Sequence, residues 1–403
     1  MKKIKILRII ARLNVGGPAI HSILISAYLD NSRFETLLVH GSTGKGEGDM
    51  SYYMEGKNIA TYFMPELKRE PKFIDDYTSF RKISRLIKEF RPDIIHTHTA
   101  KAGAVGRLAG MLYNFLHPRS RIKLIHTFHG HVFEGYFGKF KTGIFLLIER
   151  FLAYFSDKLV TVSDSLKNEL VSLKIGNKDK IKVIPLGFDL AKFLAIPGKA
   201  VENRTINIGI VGRLAPVKNH RLFLQAAQRI SELNTKEKMN FFIVGDGELR
   251  QELEIYAHDL GISGSVKFLG WQRDLPKIYT DILDIVMLTS FNEGTPVSLI
   301  EAMASSRLVL AVDVGGVKDL LGREICEYKS VNSSFRVMER GVLINPANPE
   351  NFSTAVAFLL KNAVLRQNII SNAKEYTRSV FTRERLVQDI EKLYLDILKV
   401  SSQ

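Results

Sequence analysis

Residues 284–304 read DIVMLTSFNEGTPVSLIEAMA, and this stretch decides the fold. The apolar run IVML is followed by a short polar loop and then by apolar residues at helical spacing. Pro296 lies where the helix is expected to start, at a first-turn position that does not need a backbone N–H. The stretch therefore predicts a buried strand, a loop that contains Gly294, and a helix that contains Glu301.

Short apolar runs alternate with amphipathic stretches along the rest of the chain, which predicts parallel sheets with helices on both faces. In the first half, strands are predicted at Ile4–Ile10, Thr36–His40, Ile59–Met64, Ile94–His96, Lys123–His126, Leu159–Val162 and Lys182–Ile184. In the second half, they are predicted at Ile206–Val211, Asn240–Val244, Val266–Phe268, Ile285–Leu288, Leu308–Val312 and Gly341–Ile344. Helices are predicted at Phe80–Phe90, Gly103–Phe115, His220–Leu233, Glu248–Leu260 and Pro296–Ala304.

The chain has 403 residues, more than one hydrophobic core usually organises, so two domains are expected. We predict an N-terminal Rossmann-like domain over 1–187, a linker over 188–204 and a C-terminal Rossmann-like domain over 205–381. The helical pattern at 382–399 is expected to pack back on the first domain. The predicted fold class is α/β, with two doubly wound parallel-sheet domains that face each other across a cleft, where ligands bind beyond the strand ends.

Composition is that of an ordinary globular protein, with 45% apolar and 25% charged residues. The single cysteine, Cys326, excludes an internal disulfide and suits a reducing compartment. Charge interrupts the first apolar run, IKILRII, and a Gly-rich turn follows it, so a signal peptide is not expected. A transmembrane helix is not expected either, because uninterrupted apolar runs are short. We therefore expect a cytoplasmic protein.

The net charge of +15 is concentrated in residues 1–190, which hold 30 Lys and Arg against 18 Asp and Glu. No recognition helix, zinc motif or RNA-binding aromatic pattern accompanies this charge, so we do not expect a nucleic-acid partner. Three interpretations of the basic half stay open: an anionic membrane surface, a phosphate-bearing substrate, and a merely solvated face.

The loop and helix start at 292–301 have the chemistry of a nucleotide-sugar site. Backbone N–H groups at the helix start form an anion site, and Gly294 permits a close approach. Glu293 in the loop and Glu301 in the helix can accept hydrogen bonds from sugar and ribose hydroxyls. The surrounding EGTP and EAMA sequences favour this interpretation over two solvated glutamates.

Two further loops carry residues suited to a diphosphate. Arg213 offers a planar fork and Lys218 a point charge, and together they can offset the charge on a departing diphosphate, although alone they would be ordinary surface cations. Gly16 and Gly17 follow the first strand, where glycine lets a ligand approach the backbone. The third glycine of a dinucleotide-binding motif is missing there.

Histidines follow two strands, as HTH at 96–98 and as HTFHGH at 126–131. Such alternation can ligate zinc, but no cysteine or carboxylate cluster completes a site, so no metal is predicted. His96 and His98 are expected to shape the cleft or an acceptor loop, or to be satisfied polar residues.

The motif at 292–304, VGRL at 211–214 and Lys218 together resemble the signature of the family 4 glycosyltransferases, which have the GT-B architecture and retain the anomeric configuration. The family usually has Gly after the lysine, where this chain has Asn219. The resemblance implies that Arg213 and Lys218 clamp the donor diphosphate. It also implies that the domain over 1–187 is on the acceptor side and that the domain over 205–381 binds the donor.

The resemblance also implies roles for further residues. His129 matches the histidine that contacts the donor sugar, with His131 as the neighbouring candidate, and Glu293 is implied to act with it. The residues implied to bind the substrate are Gly16, Gly17, Gly245, Gly247, Gly270, Gly294, Thr295, Pro296, Val297 and Glu301. The loop VGG at 314–316 is implied to line the same cleft.

The histidine segments resemble those of glycosyltransferases from bacterial capsule, exopolysaccharide and O-antigen assembly. The implied reaction is retaining transfer from a nucleoside diphosphate sugar, with UDP favoured, to a hydroxyl of a glycan or lipid-linked saccharide, with no metal or other cofactor. The implied location is the cytoplasm or the inner face of its membrane. A GT-B sugar-nucleotide epimerase and a noncatalytic sugar-nucleotide or glycan-binding protein are the alternatives.

Overall fold

The computed structural model describes residues 2–14, 16–44, 48–68, 72–130, 139–197, 205–233 and 235–399. The chain divides into two compact units. Unit 1 is Met1–Phe188 with Arg383–Gln403, and unit 2 is Asp189–Thr382.

Unit 1 contains a parallel sheet with, in the described residues, the strand order β3-β2-β1-β4-β5-β6-β7. The strands are β1 Ile4–Arg12, β2 Phe34–Gly41, β3 Ala60–Phe63, β4 Ile94–His98, β5 Lys123–Phe128, β6 Lys158–Thr161 and β7 Ile181–Val183. Successive side chains of β1 enter different cores, because a strand alternates its faces. Leu7 and Ile9 pack in one cluster and Ile6 in another. The seven strands predicted for this half are all present.

The helices of unit 1 cover both faces of its sheet. They are α1 Gly17–Tyr28, α2 Phe73–Phe90, α3 Ala100–Leu116, α4 Lys139–Phe155, α5 Asp164–Ser172 and, at the end of the chain, α14 Arg383–Leu398, with short 3-10 turns at Ser51–Met54 and Pro118–Ser120. α2 and α3 share the cluster that contains Leu7, whereas α1 and α14 share the cluster that contains Ile6. Glycines at 103, 106 and 110 let α3 approach the sheet, since a Cβ there would lie 2.4–2.7 Å from strand side chains.

The helix predicted at 382–399 is α14, and it packs inside unit 1. Its residues Leu386, Ile390 and Leu393 are buried in the cluster that contains Ile6. Burial of these apolar side chains is the main stabilising contribution of the helix to unit 1.

Unit 2 contains a mixed sheet with, in its described part, the order β10-β9-β8-β11-β12-β15-β14-β13. The strands are β8 Thr205–Val211, β9 Lys238–Val244, β10 Val266–Gly270, β11 Ile285–Leu288, β12 Leu308–Val312, β13 Glu324–Lys329, β14 Ser334–Met338 and β15 Gly341–Ile344. The six predicted strands are present and parallel to one another. The prediction missed β13 and β14, which pair antiparallel, because the edge strand EICEYK is largely exposed and has no apolar pattern.

The helices of unit 2 are α6 Ala191–Leu194, α7 His220–Ser231, α8 Arg250–Asp259, α9 Leu275–Asp281, α10 Val297–Ala304, α11 Val317–Leu321, α12 Pro349–Lys361 and α13 Ala363–Val380, with a 3-10 turn at Pro216–Lys218. The predicted linker covers residues 188–204. Residues 189–197 belong to unit 2, where Phe193 is buried against Tyr279 and Lys374 donates to the Ile196 carbonyl at 2.7 Å. Residues 198–204 lie outside the described residues.

The two units, each built on a largely parallel sheet, confirm the predicted α/β fold class of Rossmann-like domains. Among the helices that the structure describes, none combines the length and the apolar character that spanning a membrane requires.

Replacing Ile390 by Ala should destabilise unit 1 by about 2–5 kcal/mol, because the change leaves a cavity at a fully buried position of α14. Hydrogen exchange resolved by peptide would measure the loss for each unit. The matched control is Lys392→Ala, an exposed position of the same helix, which should change stability by less than about 0.5 kcal/mol. Equal protection of unit 1 in the two variants would contradict the role of α14.

Candidate functional site

Three loops of unit 2 meet at the carboxyl edge of its sheet, where parallel strands β8, β9 and β10 end. The N–H of Gly212 donates to the Val244 carbonyl at 2.9 Å, and the N–H of Gly245 donates to the Gly270 carbonyl at 2.9 Å. The N–H of Leu214 donates to the Asp246 carbonyl at 3.0 Å. The three loops therefore form one bonded surface.

This contact requires glycine. Gly245 has φ +135°, and a Cβ there would lie 2.0 Å from the Gly212 carbonyl oxygen. A Cβ at Gly247 would lie 2.5 Å from the carbonyl oxygen of Leu214. Gly270 has φ +66°, in the left-handed region. At the GDG sequence, 245–247, the backbone therefore packs directly against the backbone of residues 212–214.

Lys218, Ser290 and Glu293 converge on one oxygen atom. Lys218 Nζ donates to Glu293 Oε1 at 2.7 Å, and Ser290 Oγ donates to the same oxygen at 2.6 Å. The side chains of Lys218 and Glu293 are 27% and 10% exposed, so water screens the pair less than it would screen a surface pair. No motif in the sequence marks Ser290, which precedes Glu293 by three residues in the loop after β11.

Hydrogen bonds to main-chain carbonyls hold these residues together. The Thr289 hydroxyl contacts the Lys218 and Asn219 carbonyls, both at 3.0 Å, and the Phe291 N–H donates to the Val217 carbonyl at 2.9 Å. The loop after β11 is thus bonded to the segment that follows the exposed Arg213.

The VGG loop at 314–316 supports the same region from the other side. A Cβ at Gly315 would lie 1.7 Å from the Glu293 carbonyl oxygen, and one at Gly316 would lie 2.3 Å from that of Gly294. The loop therefore contacts the backbone of Glu293 directly. Only glycine permits this approach.

Helix α10 begins one residue later than predicted. Pro296 is its N-cap, and Val297 is its first residue, after Thr295 in the loop. Glu301 lies one turn into the helix, where the hydroxyl of Tyr279 is 3.4 Å from its Oε2 and 3.1 Å from the Ser298 carbonyl. Burial raises the pKa of Glu301 to about 7, and the Tyr279 hydrogen bond opposes this rise. Sequence analysis missed Tyr279, since it comes from helix α9.

Unit 1 places its glycine turn at the start of α1. Gly16 is the N-cap, with φ +153°, and Gly17 begins the helix. A Cβ at Gly17 would lie 2.9 Å from Leu186 Cδ1, so the turn packs tightly against the segment after β7. Val15 lies outside the described residues.

Two histidines meet at the carboxyl edge of the unit 1 sheet. His98 ends β4 and His129 follows β5, and the distance from His98 Nδ1 to His129 Nε2 is 3.0 Å. The ring of His21, from α1, lies 5.1 Å from that of His129, edge-on. Burial lowers the pKa of His129 to about 3 and holds the pKa values of His21 and His98 well below the ordinary value. These rings are neutral at pH 7, so one of the bonded pair donates and the other accepts. His131 lies outside the described residues.

His96 belongs to a buried chain of hydrogen bonds. Arg8 Nη2 donates to the Tyr394 hydroxyl at 2.8 Å, and this hydroxyl lies 2.7 Å from His96 Nδ1. His96 Nε2 lies 2.7 Å from Thr127 Oγ1, so both ring nitrogens have a partner. The His96 ring is therefore a satisfied polar group, and sequence analysis missed its partner Tyr394, 298 residues away.

His126 faces the opposite side of the sheet. Its Nδ1 lies 2.8 Å from Thr97 Oγ1, and Gly103 of α3 packs against its ring. Because successive side chains of a strand point to opposite faces, His126 lies on one face of the sheet, and His96 and His98 lie on the other. Within the described residues, no three His, Cys, Asp or Glu side chains are arranged as a metal site.

Stability should fall relative to Glu301→Gln as the pH rises from about 5 to about 8, by on the order of 2 kcal/mol. The reason is that the folded pKa of Glu301, about 7, exceeds the ordinary value of 4.5, so the folded state holds a proton that the unfolded chain has already lost. Urea unfolding at several pH values would measure this. The matched control is Glu248→Gln, at an exposed glutamate of unit 2, which should follow the wild-type curve. Parallel curves for wild type and Glu301→Gln would contradict the raised pKa.

Two family models match the chain. The model described as Glycosyltransferase Family 4 matches residues 15–192, and that described as Glycosyl transferases group 1 matches residues 196–376. The two matches therefore correspond to successive halves of the chain.

Curated relatives and solved structures agree with these models. The Escherichia coli UDP-Gal:alpha-D-GlcNAc-diphosphoundecaprenol alpha-1,3-galactosyltransferase is 29% identical over 380 residues, which cover 92% of this chain and 91% of the relative. The capsular polysaccharide biosynthesis glycosyltransferase CapM of Staphylococcus aureus is 23% identical, over 86% of this chain and 89% of CapM. The structure of Anabaena Alr3699/HepE in complex with UDP has a TM-score of 0.76 at 20% identity, and the match covers 98% of this chain and all of that one. The chain therefore belongs to glycosyltransferase family 4, has the GT-B fold, and is an enzyme that transfers a sugar from a nucleotide sugar.

Proposed function

We propose that this chain is a retaining, metal-independent glycosyltransferase that transfers a sugar from a UDP-linked donor to a hydroxyl of a lipid-linked saccharide. The observation that carries the proposal is the convergence of Lys218 and Ser290 on Glu293, beside the bonded glycine loops of unit 2. It gives one wall a fixed cation, a fixed carboxylate and a backbone open to a diphosphate.

Unit 2 is assigned to the donor. Arg213 and Lys218 offset the negative charge that develops on the diphosphate as the bond from the sugar C1 to the phosphate oxygen breaks. Glu293 orients Lys218 through their 2.7 Å bond and is available to sugar hydroxyls. Because two side chains supply positive charge, the proposed reaction needs no divalent cation.

The ribose and phosphate contacts follow from the same wall. Glu301 accepts hydrogen bonds from the ribose hydroxyls. The hydroxyl of Tyr279 contacts the same carboxyl group and holds it in place. The substrate-binding backbone is that of Gly245, Gly247 and Gly270 together with the loop Gly294-Thr295-Pro296-Val297. Close approach of the diphosphate to such a backbone is possible because glycine has no side chain.

Unit 1 is assigned to the acceptor side. Neutral His129 can form one hydrogen bond with a sugar hydroxyl through its second ring nitrogen, since its Nε2 is already bonded to His98 Nδ1 at 3.0 Å. Gly16 and Gly17 present backbone at the start of α1. The acceptor oxygen attacks C1 on the face that the diphosphate leaves, and the departing phosphate oxygen takes the acceptor proton, so the anomeric configuration is retained.

A lipid-linked acceptor is supported by the relative from Escherichia coli, whose name gives a UDP-galactose donor and a diphosphoundecaprenol-linked acceptor. The CapM relative is named for capsular polysaccharide biosynthesis. We therefore propose that the chain acts in assembly of a bacterial surface polysaccharide, at the cytoplasmic side of the membrane.

Lys218→Ala should lower kcat by about 10²–10³, because it removes a fixed positive charge from the departing diphosphate. Lys218→Arg keeps the charge and should retain more activity. The matched control, Lys277→Ala, removes an exposed lysine of unit 2 and should leave kcat unchanged. Steady-state rates with the donor in excess measure the effect, and an unchanged kcat for Lys218→Ala would remove Lys218 from the site.

A screen of UDP-, GDP- and ADP-sugars with mass-spectrometric detection should show consumption of a UDP-sugar, undiminished by EDTA. With an acceptor, NMR of the product should show the anomeric configuration of the donor. An epimerised nucleotide sugar without transfer would indicate an epimerase instead. Nucleotide-sugar binding without consumption would indicate a noncatalytic protein.

A further inference from the structure

Helix α4 of unit 1 buries its carboxylate and exposes apolar residues over the part whose side chains the structure describes. Over the part whose side chains are described, 142–155, every exposed residue is apolar or glycine: Gly143, Ile144, Leu147, Ile148, Phe151, Tyr154 and Phe155. Leu147 is 64% exposed and Tyr154 78% exposed. The only carboxylate of this part, Glu149, is 2% exposed. A helix on the surface of a water-soluble unit normally shows the reverse arrangement.

The buried charge of α4 is neutralised within unit 1. Glu149 accepts two hydrogen bonds from Arg107 Nη2 of α3, at 2.8 and 3.0 Å. This pair fixes the rotation of α4 about its axis, because turning the apolar face inward would expel Glu149 and leave Arg107 buried without its partner. The outward apolar face is therefore imposed by the packing.

The neighbouring helices continue this face. In α3 the exposed residues are Leu108, Leu112, Phe115 and Leu116, without any charged residue among them. In α2 the first turns expose Phe73, Ile74 and Tyr77, with Phe73 87% exposed. α3 packs against both α2 and α4, so the three outer surfaces are contiguous. We call these exposed residues of α2, α3 and α4 the apolar face.

A cavity opens in the apolar face between α2 and α3. It has a volume of about 200 Å³ and is lined by Phe73, Asp76, Tyr77, Phe80, Val105 and Leu108. Asp76, the only charged residue of the lining, pairs with Lys101 at 2.6 Å. The rest of the lining is aliphatic and aromatic, which suits a hydrocarbon chain.

The charges around the apolar face select its partner. α2, α3 and α4 together hold nine Lys and Arg against four Asp and Glu. All four carboxylates are in ion pairs within unit 1, with Lys68, Lys101, Arg85 and Arg107. Arg81 and Lys88 on α2, and Arg119 and Arg121 after α3, are exposed. The border of the face is therefore basic.

A basic border favours an anionic bilayer over a second copy of the chain. A symmetric dimer through the apolar face would place the same patch on both sides and bring the two basic borders together. Anionic lipid headgroups would instead complement the cations while the apolar side chains enter the headgroup and acyl boundary.

We propose that the apolar face of unit 1 docks on the surface of an anionic lipid bilayer, with the cavity between α2 and α3 receiving a hydrocarbon chain. This inference rests on the proposed function in one respect, since docking brings the enzyme to a lipid-linked acceptor. The binding itself does not depend on catalysis.

Flotation of the full chain with phosphatidylcholine vesicles, with and without phosphatidylglycerol, tests the proposal. The wild type should float with the anionic vesicles at low salt. It should bind the neutral vesicles more weakly, and it should also bind the anionic vesicles more weakly at high salt. The double variant Leu147→Glu, Phe151→Glu should bind anionic vesicles on the order of tenfold or more weakly, since two charges replace apolar side chains at the lipid boundary. Wild-type affinity for this variant would overturn the proposal.

The matched control is Ile255→Glu with Val364→Glu, which makes the same change at two residues of unit 2 that are 56% and 77% exposed. It should bind vesicles as the wild type does. Circular dichroism must show the same folded content in both double variants. Sedimentation velocity covers the competing occupant: a wild-type dimer that the α4 variant converts to monomers would assign the face to a second copy and overturn the proposal.

A thermal shift with UDP separates this proposal from the proposed function. Stabilisation by UDP without vesicle binding would reject the docking surface and leave the donor assignment intact. Vesicle binding without stabilisation by UDP would support the docking surface and count against the donor assignment.

Discussion

The ion pair between Lys218 and Glu293 is the interaction on which the candidate site of unit 2 depends. Its 2.7 Å bond connects the loops after β8 and β11, and Ser290 completes the coordination of the same carboxylate oxygen. The geometry is possible because β8 and β11 are adjacent and parallel, so that their carboxyl ends lie at one edge of the sheet. Glycines at 245 and 315 then allow two backbones to touch where a Cβ would clash.

Unit 1 contains a buried polar network of histidines. Its sheet buries several histidines beside Arg8, and burial keeps them neutral. Each of these rings has a hydrogen-bonding partner: the Tyr394 hydroxyl for His96, and His129 for His98. Tyr394 comes from the last helix, so the end of the chain stabilises a polar network near the candidate acceptor site as well as an apolar core. A buried network of this kind gives positional specificity when its members are satisfied.

Much of the fold and part of the site were predictable from sequence. The parallel strands of both units were predicted because buried strands are continuous apolar runs, and the helix after β11 because its apolar residues follow a helical period. Edge strand β13 was missed because it is largely exposed. The packing of Phe193 against Tyr279 was not predictable either, because the two residues meet only in the folded unit. Tyr279, Ser290 and Tyr394 carried no motif that would distinguish them.

The sequence by itself determined the types and spacing of the candidate site residues: Arg213, Lys218, Glu293 and several glycines in loops after strands, and Glu301 in the helix after β11. Tertiary structure alone decided their partners, because hydrogen bonds such as Lys218 to Glu293 join residues 75 positions apart. It also decided which face of α4 is outside. The pattern of that helix fits a buried helix equally well, but in the folded unit Glu149 is buried in its pair with Arg107 while the apolar residues of α4 are exposed.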